Sequence, residues 1–255
     1  MDFHSRLSEH SLISLLLMLL LIFNIILIRT CELIIRNINT TNKLMKVYLI
    51  ITTCINNKVG LVNYEERKAR YLHCIPSAVE QWKSIFLTTP IIVENTQVQP
   101  TYLNDIKGAN VIYTQNNTNL VWHKGRNELL DIKEVIKQLN IEDNDIVIKL
   151  TGRYKVLDNY FFKLINDNLN SSNPCNAFAK FYNVCTQKYT QGDCVLGLIA
   201  TRCKFWKEFN YANNVLSPEV QFARYIHTRS KGHVIKVDNL GLECCFADDH
   251  RIIVV

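Results

Sequence analysis

The stretch Asp143–Tyr154, DNDIVIKLTGRY, constrains the fold of this chain more than any other. It opens with an acidic turn, continues as a mostly apolar strand, and ends in the polar residues TGRY. The pattern predicts a core strand, and in an open α/β sheet ligands bind beyond the carboxyl ends of such strands. Gly152 would let the backbone approach a ligand, and Arg153 offers a five-donor fork for an anion. A Gly turn with Arg153 in a structural ion pair would give the same sequence.

Other apolar runs build a sheet around this strand. A β-branched run begins at Val47, a second short strand is predicted at 91–95 and a third at 109–114. The helical spacing of apolar residues at 129–139 comes directly before the core strand. Strand, helix and strand in this order favour a parallel βαβ arrangement. The predicted fold class is therefore α/β, a mixed and mainly parallel sheet flanked by helices over residues 46–255.

The remaining elements are predicted from periodicity and turn residues. The segment 63–86 is expected to be helical with a break before Pro76, and 177–184 and 194–201 are expected to be strands. The aromatic segment 202–215 is predicted to be a helix. Another helix should begin at Ser217-Pro218-Glu219, which provides an N-cap, a proline at the first position and an acid in the first turn.

The first 45 residues have a different composition from the rest. Residues 11–28 are eighteen residues without a charge, and a helix of that length covers most of a hydrocarbon core. We predict an N-terminal tail at 1–10, a single-pass transmembrane helix at 11–28 and a polar stem at 29–45. A cleaved signal peptide is the competing interpretation, but the run is long for one and no small-residue cleavage site follows it.

Charge and cysteine content narrow the compartment and the partners. The basic residues flanking 11–28 favour a cytoplasmic C-terminal domain, whereas three Asn-x-Ser/Thr triplets favour a lumenal domain in a secretory-pathway membrane. The nine cysteines include no Cys-x-x-Cys motif, which disfavours a zinc ribbon or a thioredoxin-like site. The net charge is +6 and the chain contains no run of five like charges, so no nucleic acid partner is expected.

Polar residues follow each of the predicted parallel strands. Thr52, Thr53 and Asn56 end the first strand, and Glu94 ends the second, where a carboxylate could accept a ribose or base hydrogen bond or could simply be a solvated loop acid. Lys124-Gly125-Arg126 stands at a helix start, where free amides and basic side chains would bind an anion. A solvated basic turn is the alternative interpretation of that tripeptide.

These features, in this order, resemble the GT-A fold of nucleotide-sugar-dependent glycosyltransferases, which is Rossmann-related. The segments IIVEN, KGRNELLDIKEVI and IVIKLTGRY look like those of poorly characterised polysaccharide-type transferases of bacteria and large DNA viruses, and the resemblance covers about residues 46–226. A membrane anchor followed by a stem is similar to many such enzymes. GT-A enzymes usually carry Asp-x-Asp after the central strand to hold a divalent metal, and here that place is Thr151-Gly152-Arg153.

The resemblance implies a site for a nucleotide-sugar donor and an acceptor. Its donor-binding residues would be those at the strand ends and the helix start, namely Thr52, Thr53, Asn56, Glu94, Lys124, Gly125, Arg126, Glu128, Thr151, Gly152, Arg153 and Tyr154. Without Asp-x-Asp, basic residues could neutralise the leaving diphosphate, with Arg153 acting in catalysis. Alternatively, Mn²⁺ or Mg²⁺ could be held by Asp248, Asp249 and His250, which could equally form an exposed turn.

The first candidate for the base that activates an acceptor hydroxyl is Glu219, with Asp193 as the second. An acid in the first turn of a helix is also favoured by the helix dipole alone. The function expected from the sequence is a membrane-anchored glycosyltransferase that moves a sugar from a nucleotide-sugar donor to a glycan or other acceptor. The alternative is a non-catalytic anchored module, a degenerate transferase, that binds nucleotide or glycan.

Overall fold

The computed structural model describes residues 18, 20–32, 45–56, 63–118, 124–169, 171, 173–181, 192–212, 215–246 and 251–255. Residues 1–44 belong to a first compact unit and residues 45–255 to a second. In the first unit, residues 20–32 are helical (α1) and their side chains are exposed. Within the described part of the chain, no helix is both long and apolar enough to cross a membrane. Of the predicted span 11–28, residues 11–17 and 19 lie outside the described residues.

The second unit contains ten strands and five helices within the described ranges. In chain order they are β1 (Val47–Thr53), α2 (Tyr64–Lys83), β2 (Ile91–Glu94), β3 (Asn110–Tyr113), α3 (Lys124–Gln138), β4 (Ile146–Thr151), β5 (Lys155–Val156), α4 (Tyr160–Leu169), β6 (Ala177–Ala179), β7 (Leu198–Arg202), α5 (Cys203–Glu208), α6 (Pro218–Arg229), β8 (Val234–Lys236), β9 (Leu242–Cys245) and β10 (Ile252–Val254). Short 3₁₀ helices cover Tyr102–Asp105 and Asn116–Thr118.

A seven-stranded mixed sheet in the order β3-β2-β1-β4-β7-β6-β8 forms the centre of the fold. The four strands from β3 to β4 are parallel to one another, β7 is antiparallel to both β4 and β6, and β6 is parallel to β8. The sheet is therefore mainly parallel and flanked by helices, as predicted. Strands β1 and β4 are central, and every residue of β4 is buried.

Alternating side chains of the central strands pack on two hydrophobic cores. Leu49 and Ile51 of β1 face α2 and α4, whereas Ile50 faces α3, α5 and α6. This is why the strands read as continuous apolar runs, since both faces of a parallel sheet are covered by helices. The register pairs Thr52 with Thr151 and Thr53 with Glu94, so the polar ends of β1, β2 and β4 meet at one edge.

A second sheet of three strands, in the order β10-β9-β5, lies beyond the carboxyl end of β4. Strand β9 is antiparallel to both neighbours. The sequence predicts neither β5 nor β9, because β5 has two residues and LECC lacks a recognisable alternation. The amide of Val255 donates to the carbonyl of Leu242 at 2.9 Å, which ties the end of the chain to this sheet.

Four element predictions were wrong in their bounds, and one of them, the predicted strand 194–201, begins only at Leu198 and ends at Arg202. Helix α2 continues through Pro76. The backbone hydrogen bond that proline cannot donate would go to the carbonyl of Leu72, and because Leu72 lies on the exposed face, the helix tolerates the loss. The predicted strand 177–184 pairs regularly only at Ala177–Ala179. The predicted helix 202–215 ends at Glu208, because Phe209 takes an extended conformation and packs into the core.

Candidate active site

A narrow cleft lies at the carboxyl ends of β1, β2 and β4, where the polar strand ends meet. The residues that line it come from these strand ends, from α2, from the 3₁₀ helix Asn116–Thr118 and from the start of α3. They are Thr52, Thr53, Cys54, Arg67, Tyr71, Asn95, Asn117, Asn127, Glu128 and Arg153. The cavity volume is about 30 Å³, which is room for about one water molecule. A larger ligand would have to move the side chains of the lining apart.

A wider groove of about 740 Å³ lies elsewhere, at the amino end of β4, and is lined by residues such as Lys137, Asp143 and Lys207. Lys207 Nζ is already paired with Asp143 Oδ1 at 2.6 Å, and both side chains are exposed. We assign the candidate site to the smaller cleft, because ligands of open α/β sheets bind beyond the carboxyl ends of parallel strands and because the cleft is lined by buried and half-buried polar groups.

The cleft is built around an ion pair that begins inside the sheet. Lys149 lies in the middle of β4 and is buried, and its Nζ contacts Glu128 Oε2 at 2.8 Å. The same ammonium donates to Thr151 Oγ1 at 2.7 Å and to the carbonyl of Leu196 at 2.8 Å. Thr52 Oγ1 donates to Glu128 Oε1 at 3.4 Å. A charge in a buried strand is tolerated because all these partners are present.

The charge of Glu128 is set by its cationic neighbours. Burial by itself raises the pKa of this carboxyl, but the ammonium of Lys149 and, further away, the guanidinium of Arg153 outweigh it, so the pKa is lowered. Glu128 is therefore ionised and Lys149 offsets its charge. Arg67 and Arg153 are the two guanidinium groups among the residues that line the cleft.

Arg153 is held by contacts with other elements, and Arg67 makes a contact within its own helix. Arg153 Nε donates to the carbonyl of Cys245 in β9 at 2.9 Å. Arg70 Nε donates to the carbonyl of Arg153 at 3.0 Å while its Nη2 pairs with Glu243 Oε1 at 2.5 Å. Arg67 Nη1 donates to the Tyr71 hydroxyl at 3.2 Å. The three-stranded sheet thus positions Arg153, and α2 supplies Arg67.

The groups next to Arg67 are neutral. Burial raises the pKa of Tyr71 to about 12, against the opposing charge of Arg67, and burial and the charge of Glu94 raise the pKa of the Cys54 thiol to about 12. The Tyr71 hydroxyl accepts from the amide of Cys54 at 2.9 Å. A protonated thiol is a poor nucleophile, so covalent chemistry at Cys54 is disfavoured.

Glu94 is placed behind the cleft, where its carboxylate ties strand ends together. It is fully buried and accepts from Thr53 Oγ1 at 2.8 Å, from the amide of Ile55 at 3.1 Å and from the amide and hydroxyl of Thr96. These contacts occupy the carboxylate internally. The structure therefore gives Glu94 a supporting position beneath Thr53, without a lining position of its own.

A second buried carboxylate, Asp131 of α3, connects three elements. It accepts from Asn95 Nδ2 at 2.7 Å, from Thr114 Oγ1 at 2.7 Å and from Asn116 Nδ2 at 2.8 Å. Burial raises its pKa to about 6, although these three hydrogen bonds oppose the shift. Asp131 fixes the loops after β2 and β3 against α3.

The other predicted residues of the strand ends lie beside the cleft. Thr151 accepts the bond from Lys149, and a Cβ at Gly152 would lie 3.0 Å from the carbonyl of Thr52, so this glycine lets β1 and β4 approach each other. The ring of Tyr154 is buried against Gly197. Asn56 is exposed, and its amide donates to Thr96 Oγ1 at 3.3 Å.

The start of α3 packs against the start of α6. A Cβ at Gly125 would lie 2.7 Å from the ring of Pro218, and Arg126 Nη2 donates to the carbonyl of Tyr211 at 3.4 Å. Burial raises the pKa of Tyr211, and the charges of Glu128 and Glu219 raise it further. The contact therefore brings Glu219 to the side of α3 that carries Glu128. Lys124 is the first residue of α3, and Asp193 is buried.

The residues at the end of β4 do not fit a divalent cation. Arg153 occupies the place of the expected acidic pair, and the nearest carboxylate of the cleft, Glu128, is bonded to an ammonium. In the described part of the chain, no group of three or more His, Cys, Asp or Glu residues could hold a metal ion. The predicted ligands Asp248, Asp249 and His250 lie outside the described residues.

Several residues of the cleft were not predicted from the sequence. Lys149 had a visible signal, because a lone ammonium in an apolar strand needs a buried partner. Asn95 follows Glu94 at a predicted strand end, which was also a usable signal. Arg67 lies in the charged run EERKAR, which reads as a solvated helix face. Asn127 lies one residue before Glu128 and shows no signal of its own.

No protein-family model and no curated protein matches this chain. Among solved structures, it is similar to a cytidylyltransferase from Leptospira borgpetersenii serovar Hardjo-bovis, with a TM-score of 0.50 and 15% identity over 83% of this chain and 82% of that one. It is also similar to glucosyl-3-phosphoglycerate synthase from Mycobacterium tuberculosis, solved with Mn²⁺, UDP and glucosyl-3-phosphoglycerate. That comparison has a TM-score of 0.50 and 12% identity over 77% of this chain and 70% of that one.

At these identities the similarity concerns the fold. It agrees with the strand order and with the parallel strand ends that form the cleft. The resemblance inferred from IIVEN, KGRNELLDIKEVI and IVIKLTGRY is thereby confirmed at the level of architecture. The chain has a GT-A-like fold, which it shares with solved structures of a cytidylyltransferase and of a glucosyl-3-phosphoglycerate synthase.

Proposed function

We propose that this protein is a membrane-anchored glycosyltransferase that binds a nucleotide-sugar donor in the cleft and transfers the sugar to a glycan or other acceptor. One observation supports this more than any other: two guanidinium groups, Arg67 and Arg153, line a cleft whose carboxylate is already neutralised by Lys149. Such a cleft favours an anionic ligand, and a diphosphate is the anionic part of a nucleotide-sugar. The fold supports the same assignment.

The mechanism proposed here uses residues of the chain itself. Arg153, with Arg67, would bind the diphosphate and stabilise the charge that develops on it as the bond to the sugar breaks. In an inverting displacement, Glu219 would take the proton from the acceptor hydroxyl that attacks the sugar carbon. The anomeric carbon exchanges its bond to the diphosphate oxygen for one to the acceptor oxygen. Residues 11–28 would hold the enzyme at a membrane.

The test is nucleotide release from a panel of nucleotide-sugars by the full chain in detergent, with and without Mn²⁺. We expect release from at least one donor, and Arg153→Ala should lower the rate at least about 100-fold if the guanidinium stabilises the leaving group. Arg229→Ala is the matched control, because this guanidinium is exposed and pairs only weakly with Glu208. Equal release by Arg153→Ala and the parent would contradict the proposal.

The panel also separates the enzyme from a binding module. A donor that raises the melting temperature but releases no nucleotide with any acceptor would favour the non-catalytic alternative. Release that requires Mn²⁺ would point to metal ligands outside the cleft lining, and Asp248, Asp249 and His250 would then be the residues to replace.

A further inference from the structure

Two buried amide oxygens in the cleft have no hydrogen-bond partner in the described part of the chain. They are Oδ1 of Asn95 and Oδ1 of Asn127, and both residues line the cleft. The side chains belong to residues that are 3% and 5% exposed. An unpartnered buried acceptor costs about 1–3 kcal/mol, so a pair of them beside a cavity indicates that a ligand supplies the donors.

The orientation of the Asn95 amide is fixed by its other end. Its Nδ2 donates to Asp131 Oδ2 at 2.7 Å, and an ionised carboxylate only accepts hydrogen bonds. Rotating the amide by 180° would set two acceptors against each other. Oδ1 of Asn95 is therefore directed away from Asp131.

The Asn127 amide is oriented by a chain of bonds that ends at the Cys54 thiol. Its Nδ2 donates to Asn117 Oδ1 at 2.9 Å, and Asn117 Nδ2 donates to Cys54 Sγ at 3.3 Å. Reversing Asn127 would require Asn117 to reverse too and the S–H of Cys54 to become the donor. In the arrangement that the structure shows, both free positions of the pair are acceptors.

The cleft therefore has two kinds of binding group. The guanidinium groups of Arg67 and Arg153 bind anionic oxygens, and the two amide oxygens accept hydrogen bonds from N–H or O–H groups and repel carbonyl oxygens. Among nucleobases, an exocyclic amino group offers two hydrogens on one nitrogen, whereas uracil offers one N–H between two carbonyl oxygens.

From this complementarity we infer that Asn95 and Asn127 form an acceptor-only subsite that selects a nucleotide whose base carries an exocyclic amino group, with cytosine preferred over uracil. The inference rests on the proposed function and specifies its donor. It assigns the two asparagines to specificity, while the arginines contribute to the affinity for any nucleoside diphosphate.

The experiment is titration calorimetry of the full chain in detergent with CDP, UDP and 2′-deoxy-CDP. We expect CDP to bind at least about tenfold more tightly than UDP, because uracil leaves at least one acceptor unpaired. Asn127→Ala should bring the two affinities within about threefold of each other. Asn95→Ala is the second variant, should Asn127→Ala fail to fold by circular dichroism.

Thr114→Val is the matched control, because it removes a hydrogen bond from Asp131 but keeps both acceptors. Its preference for CDP should equal that of the parent. Equal binding of CDP and UDP by the parent would overturn the inference and leave the proposed function standing. A larger loss with 2′-deoxy-CDP than with UDP would assign the acceptors to the ribose and would also overturn it. Absence of binding by every nucleotide would overturn both proposals.

Discussion

Lys149 shows at the level of one residue how this chain places charge inside a sheet. Its ammonium has three bonded partners around it, and two of them, Glu128 and Thr151, belong to the polar strand ends and helix start. Buried ion pairs of this kind are weak sources of stability, but breaking one is costly. The pair therefore links the stability of β4 to the geometry of the cleft.

Lys149→Met is expected to lower the free energy of unfolding by about 2–3 kcal/mol, because it leaves Glu128 without its cation. The value lies below that of a fully buried pair because the Glu128 side chain is 27% exposed. Denaturant unfolding measures the loss. The double variant Lys149→Met with Glu128→Gln should regain much of it, and a single variant as stable as the parent would contradict this account.

Asp131 gives the molecule a dependence on pH that differs from that of an ordinary surface acid. Its pKa is about 6 in the folded chain, mainly through burial, against about 3.9 when unfolded. Between these values the folded state binds the proton and the unfolded state does not, so this group makes the protein less stable as pH rises from about 4 to about 6.

Asp131→Asn is therefore expected to flatten the pH dependence of stability over the same window. The comparison is the slope of the melting temperature against pH for the parent and the variant. Asp143→Asn is a suitable control, because that carboxylate is exposed. Parallel slopes for the parent and Asp131→Asn would show that the carboxyl does not titrate in this range.

At the level of elements, the sequence predicted the strand ends that form the site better than it predicted how they come together with α2. The runs that became β1, β2 and β4 were recognisable, and so were Thr52, Thr53 and Arg153 at their ends. Their register across the sheet follows from parallel pairing, so the edge was predictable. The contribution of α2 was not predictable, because Arg67 reads as a solvated charge in the sequence. It lines the cleft only because the helix packs beside Cys54, which places Tyr71 there as well.

The three-stranded sheet is expected to act on the cleft through Arg153. Glu243→Gln weakens the bond to Arg70 and thereby loosens the carbonyl of Arg153. Nucleoside diphosphate affinity should fall about three- to tenfold, whereas stability should change by less than about 1 kcal/mol because the pair is partly exposed. Titration calorimetry and denaturant unfolding give the two values.

Glu208→Gln provides the comparison for that variant, since it breaks another Glu–Arg pair that lies on exposed surface. It should change neither affinity nor stability appreciably. An equal loss of affinity in Glu208→Gln and Glu243→Gln would mean that the effect is one of overall charge.

Gly152 joins β1 and β4 closely enough that a side chain does not fit. Its φ is not in the left-handed region, so Gly152→Ala is opposed by packing, through the contacts of its Cβ with Thr53 Cγ2 at 2.9 Å, the carbonyl of Thr52 at 3.0 Å and Ile51 Cγ2 at 3.3 Å. We expect a loss of about 1–3 kcal/mol, measured by denaturant unfolding. Adding Thr53→Ser should recover part of it, and stability equal to the parent would show that the strands separate freely.

At the level of the whole molecule, composition and periodicity were enough for the class of fold and for the compact part of the chain. They could not supply the pairing of Lys149 with Glu128 or the chain of amides from Cys54 to Asn127, because these contacts depend on side-chain directions at a three-dimensional junction. Strand β9 was not predicted for the same reason, because LECC forms a strand only by pairing with its neighbours β5 and β10.

Residues 45–255 form a compact unit, and we expect that unit to fold and to bind nucleotide without residues 1–44. Its melting temperature and its affinity for CDP should match those of the full chain. Only the full chain should partition into the detergent phase on cloud-point separation, because residues 11–28 are apolar. Detergent partition of the shorter unit would place the membrane affinity elsewhere.

The bond from Arg153 to the carbonyl of Cys245 spans 92 positions of the chain. At about 5–20 residues per second, a ribosome needs roughly 5–18 seconds to pass from one to the other. During that interval β1, β2 and β4 can already be paired while Arg153 still lacks the strand that orients it. Binding competence should therefore arrive later than the central sheet in the life of each new molecule.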